Sequence, residues 1–138
     1  MKKIFALFLC IFILFLSGCD YEGVANNDWS YELINGYEIW HINSEEIVFG
    51  KRKTEHSLST MVGGYIYEFC YGTRYIGLKN TDNKNEPTIQ FYLIDTTTGT
   101  VEGPLSQDEY NKALESKEIT ELTNWIATVP RPSGATFK

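Results

Sequence analysis

Histidine and cysteine are scarce in this chain of 138 residues, and much catalytic chemistry is scarce with them. The histidines are His41 and His56; the cysteines are Cys10, Cys19 and Cys70. No two of these residues stand at a zinc-ligand spacing such as C-x2-C or H-x3-H, so neither a metal nor another cofactor is expected. A glycine-rich phosphate loop is missing, and so is a G-x-S-x-G nucleophile elbow. Basic residues are few as well, 12 against 18 acidic ones. A phosphate backbone repels such a chain, which argues against nucleic acid as a partner. Long apolar runs are lacking too. The one candidate, "IFALFLCIFILFL", covers residues 4–16 and is short of the roughly 20 residues a spanning helix needs.

That run follows "MKK" and ends in Leu16-Ser17-Gly18-Cys19. Charge, apolar stretch, small residues and cysteine in this order resemble the signal peptide and lipobox of bacterial lipoproteins. The resemblance implies a thioether from Cys19 to diacylglycerol and cleavage just before it. Two acyl chains satisfy the two-signal condition for stable anchoring. The expected location is therefore the outer face of the cytoplasmic membrane, with the membrane itself as a partner. Residues 1–18 then form the signal peptide and 19–29 the lipidated cysteine and tether. Residues 30–129 form one β-rich domain, and 130–138 an extended tail. After cleavage ten basic side chains face all eighteen acidic ones, so anionic lipid repels the domain and the acyl chains must hold it. Cys70 is left as the free thiol, and the mature chain has no intramolecular disulfide.

What the chain has in quantity is aromatic side chains between turn signals. "YELI" and "YEIWHI" flank Asn35-Gly36, the two-residue hairpin signal, and "EEIVFG" follows. Residues 51–60, "KRKTEHSLST", read as an exposed loop. "YIYEFCY" puts Tyr65, Tyr67, Phe69 and Tyr71 on one face of a strand. Gly72-Thr73 turns into "RYIGLK", and residues 80–87 form a polar loop. In "TIQFYLID" the alternation sets Ile89, Phe91 and Leu93 on one face and Tyr92 and Ile94 on the other, so both faces are expected to be covered. "TTTG" then needs Gly99 left-handed, and "TVEG" is its partner strand. Ser106 and Glu109 have capping-box spacing, with Leu105 and Tyr110 as the staple of a helix over 106–116. "EITELTNWI" suggests a second short helix over 118–126.

Few residues here could carry chemistry. Cys70 alternates within an aromatic strand and reads as a small buried hydrophobe rather than a nucleophile. His41 reads as a half-buried strand residue and His56 as a solvated one. The tyrosine stripe has two readings, a core face whose hydroxyls reach the rim or an interaction surface of Tyr65, Tyr67 and Tyr71. A domain of this size without disulfides needs aromatic burial, which favours the core.

"LSGC", "NGYEIWHIN", "RYIGLK" and "FYLIDTTTGTVEGPLSQDEY" together resemble an uncharacterised family of Gram-positive lipoproteins about as long as this chain. That family carries no assigned activity and implies no catalytic residues. The expected fold is α+β: an antiparallel β-meander sheet of five to seven strands with one helix, from the C-terminal half, packed on it. The expected function is a non-enzymatic binding or interaction module at the cell surface, meeting a protein partner there. The alternatives are an inhibitor or immunity-type protein against a secreted toxin or hydrolase, or a small envelope enzyme using Cys70 and His41.

Overall fold

The computed structural model describes residues 28–138. The leader, the lipobox and the tether up to residue 27 lie outside that range.

The described residues fold as α+β, one α-helix packed on a sheet that is antiparallel but for one pairing. The strands are β1 (Trp29–Glu32), β2 (Tyr37–Asn43), β3 (Glu46–Thr54), β4 (Ser57–Val62), β5 (Tyr65–Tyr71), β6 (Tyr75–Thr81), β7 (Gln90–Asp95) and β8 (Thr100–Leu105). Helix α1 spans Gln107–Ser116, and two short strands follow, β9 (Ile126–Ala127) and β10 (Thr136–Phe137). Along the sheet the order is β10-β1-β2-β3-β5-β6-β7-β8, with β4 paired to β3 and β9 to β5. The meander is interrupted once, where β4 folds back on β3 and β5 lies parallel to β3 through Ile47 and Tyr65.

The first hairpin forms where its turn residues require it. Asn35 (φ 55°) and Gly36 (φ 77°) are both left-handed, as a type I′ turn demands. The Tyr37 amide closes it on the Ile34 carbonyl. Gly99 also takes the expected positive φ, 74°. Strand β7 is sandwiched. Phe91 and Leu93 pack under α1 with Cys70, Tyr110, Ile119 and Leu122. Tyr92 and Ile94 turn to the larger cluster on the other face, which includes Tyr37, Ile39, Phe49, Phe69 and Leu78.

Helix α1 starts as its sequence dictates. The Glu109 amide donates to Ser106 Oγ at 3.3 Å, and the Ser106 amide to Glu109 Oε2 at 2.8 Å. The box satisfies two otherwise orphaned donors, and Leu105 and Tyr110 join the same apolar cluster.

Four expectations are corrected. Residues 51–60 are not a loop: the β3–β4 hairpin runs through them, pairing Lys51 with Ser59 and Arg52 with Leu58. Its mostly exposed or half-buried side chains hide a backbone ladder whose register shifts between Arg52 and Thr54. The second helix over 118–126 does not form. Helix α1 ends in a Schellman motif, Glu118 taking φ 55° while the Ile119 amide donates to the Leu114 carbonyl at 2.9 Å. The following residues are turns that deliver Ile119 and Leu122 to the cluster under α1. The sheet has ten strands rather than five to seven, the excess being β4 and the two-residue β9 and β10. Lastly, the domain takes in both ends. Trp29, placed in the tether, is 4% exposed in β1, and Thr136–Phe137, placed in the tail, pairs with β1.

Candidate interaction surface

The tyrosine stripe of β5 divides between core and surface. Tyr65 is 4% exposed and Phe69 fully buried, whereas Tyr71 is 36% exposed. Tyr67 lies between these extremes, its ring edge-on to Tyr65 at 5.1 Å and its hydroxyl donating to the Lys84 carbonyl at 2.8 Å. A register shift between Ile66 and Glu68 breaks the simple alternation and lets Ile66 be buried as well. Of the three tyrosines proposed from sequence, Tyr71 is the one presented outward.

Tyr71 is joined by a residue that the sequence pattern did not single out. The hydroxyls of Tyr31 and Tyr71 lie 3.2 Å apart, and the Tyr31 ring rests on Phe69 at 4.9 Å. That hydrogen bond, with burial second, raises the Tyr31 phenol to about 12, so its ring stays neutral at physiological pH. Strand β1 supplies Tyr31, forty residues away in sequence. No local signal connects the two.

Cys70 and His41 are not brought together. Cys70 sits under α1, 1% exposed, while His41 lies in β2 and stacks on Trp29 at 5.5 Å. Burial pushes the Cys70 thiol up to about 11, so it is held as the thiol rather than the thiolate. Gly77 makes room for this arrangement: a Cβ there would lie 2.3 Å from Tyr110 Oη and 2.8 Å from Cys70 Sγ. Burial likewise raises the Tyr110 phenol. His41 Nδ1 is 3.8 Å from Asp28 Oδ1, and His56 is exposed at the tip of the β3–β4 hairpin.

Two polar constructions brace the opposite end of the sheet. Arg74 holds Asp95 through two hydrogen bonds of 3.0 and 2.6 Å, which with backbone donors lower that carboxyl to about 2. The Glu121 carboxylate accepts from the Thr73 amide at 2.9 Å and its hydroxyl at 3.0 Å. It also takes the Arg74 and Tyr75 amides at 3.4 Å each, and these donors lower its pKa. One side chain thereby closes the β5–β6 turn.

Two clefts lie near the first strand. One, of about 540 Å3, is lined by Trp29, His41, Asn43, Val129, Arg131 and Phe137 among others. The other, of about 490 Å3, is more polar and includes Arg52, Glu55, His56 and Lys138. Among the described residues no group of three His, Cys, Asp or Glu is placed to hold a metal, and no helix is long and apolar enough to cross a membrane.

No curated protein and no solved structure matches the chain. A family model does, over residues 34–125, from the β1–β2 turn to Trp125 beyond α1. The match spans the tyrosine stripe, the capped helix and the Glu121 brace, and by it this chain belongs to the family described as Protein of unknown function (DUF3997).

Proposed function

We propose that the protein is a lipoprotein held by diacylglycerol on Cys19 to the outer face of the cytoplasmic membrane, where its domain serves as a non-enzymatic binding module. The observation that carries the reading is Leu16-Ser17-Gly18-Cys19 at the end of a charged and then apolar leader. Two acyl chains hold where one binds only marginally. The surface pair of half-buried Tyr31 and exposed Tyr71 supports the binding half of the proposal, because tyrosine offers wide contact area and a polar tip at low entropic cost.

Cys19→Ser tests the anchor. The variant is expected to lose lipid labelling and to move from the membrane to the soluble fraction. A variant that stays with the membrane and keeps its signal peptide would refute the anchor.

Cys70→Ala and His41→Ala separate a binder from an envelope enzyme. Both variants are expected to leave the protein's cellular activity intact once folding is verified by circular dichroism. Loss of activity in a folded variant would favour the enzyme. An acidic inhibitor or immunity-type protein is a narrower form of the same proposal, since ten basic residues against eighteen acidic ones suit a basic partner.

A further inference from the structure

The end of the sheet at which the described chain begins carries an apolar row. Cross-strand pairing aligns Phe137 with Trp29, Trp29 with His41, His41 with Ile47 and Ile47 with Tyr65, all on one face. Its inner members are covered: Ile47 is fully buried, and Trp29 and Tyr65 are each 4% exposed. Its outer end is not. Phe137 is 60% exposed, and Val129, which lines the same cleft, is 63% exposed. These are the two most exposed large hydrophobic side chains among the described residues. The guanidinium of Arg131 sits 3.9 Å from the centre of the Phe137 ring, and Asn43 and Ser44 complete the rim.

We propose that this cleft rests on the bilayer, its occupant being the interfacial zone of the membrane that holds Cys19; the inference rests on the lipid-anchor reading. The point at which the described chain begins favours this surface. Trp29 lines the cleft and follows Cys19 by ten residues, a span of at most about 36 Å when fully extended. The composition is interfacial, with an aromatic ring, an aliphatic side chain and a cation laid over the ring. The excess of acidic residues leaves no net attraction to anionic headgroups, so the contact is apolar in origin. The domain therefore lies against the membrane with the β10–β1–β2 edge down. Helix α1, which packs on β7 and β8 at the far edge, lies away from it.

The test uses the full lipidated chain in phosphatidylcholine vesicles containing a nitroxide-labelled phospholipid. Val129→Cys introduces a thiol for an environment-sensitive dye; Cys70 is buried and Cys19 acylated, so the new thiol is the one that reacts. Lys112→Cys, exposed on α1, is the control. Nitroxide quenching at position 129 is expected to be at least twice that at position 112. Adding Phe137→Asp to the 129-labelled protein is expected to bring it down to the control value. Equal quenching at the two positions in protein that co-floats with vesicles overturns the contact and leaves the anchor standing. Self-quenching of the dye that grows with protein density, without nitroxide, overturns it in favour of a second copy. Protein that fails to co-float overturns the anchor and the contact together.

Discussion

Phe69→Ala is expected to cost about 3–5 kcal/mol of folding stability, the usual range for removing a fully buried ring. Phe69 has no exposed surface, packs against Tyr31 at 4.9 Å, and stands opposite Leu78 on one side and Ile126 on the other. Paired strands flank it, so the walls of the resulting cavity are held by backbone hydrogen bonds and cannot collapse inward. At roughly 4 °C for each kcal/mol in a domain of this size, the melting temperature should fall by about 12–20 °C. Tyr71→Ala, two residues along the same strand, should cost less than about 1 kcal/mol because its side chain already keeps 36% of its surface in water and leaves no enclosed cavity. Thermal unfolding of the two variants measures the contrast. Similar losses at both positions would mean that Tyr71 belongs to the core and that the exposed tyrosine pair is no surface.

The second large effect concerns a buried carboxylate. Glu38 is 1% exposed and lies between the Arg52 guanidinium and Trp40 Nε1, which donates to Oε2 at 2.5 Å. Arg52 itself is 43% exposed, so water screens the outer side of the pair. Arg52→Ala leaves Glu38 with the Trp40 indole as its hydrogen-bond partner and Lys138, over the Trp40 ring, as the remaining nearby cation. Breaking a fully buried pair costs about 3–5 kcal/mol. The exposure of Arg52 places the expected loss nearer 2–3 kcal/mol. In a Glu38→Gln background the same change should cost less than about 1 kcal/mol, because no charge is left stranded. Denaturant titration of the four proteins in this cycle gives the coupling directly. Strict additivity would show that Arg52 contributes only packing of its aliphatic stem.

What could be read from the sequence and what could not follow a physical division. Local chemistry was legible. Asn35-Gly36, Gly99, and Ser106 with Glu109 each specify a backbone conformation within four residues, and each adopts it. The two-sided burial of β7 was legible from its alternation for Phe91, Leu93, Tyr92 and Ile94, but not for Ile89, which precedes the strand and is 49% exposed. Residues 51–60 were not legible, since their side chains face solvent while their amides and carbonyls complete a ladder. Hydrophobic pattern reports on side chains and is silent about a solvated hairpin. The second helix over 118–126 was wrongly expected because the left-handed residue that turns the chain after Ser116 is Glu118 instead of glycine, and no composition rule marks it. Within the surface, Tyr71 could be singled out by its strand but Tyr31 could not. Their contact joins β1 and β5, which are separated by β2 and β3 in the strand order, so no neighbouring-strand pairing marks it. Trp29 and Phe137 escaped notice for a related reason: each looked like part of an unstructured terminus until paired with the other.

That pairing has a practical corollary for anyone engineering the protein. The Lys138 amide donates to the Asp28 carbonyl at 3.1 Å, so the two extremities of the domain emerge side by side. A reporter fused after Lys138 would crowd Asp28 and cover Phe137, obscuring the surface it was meant to report on. The polar 80–87 segment, between β6 and β7, is the more neutral place to insert a tag.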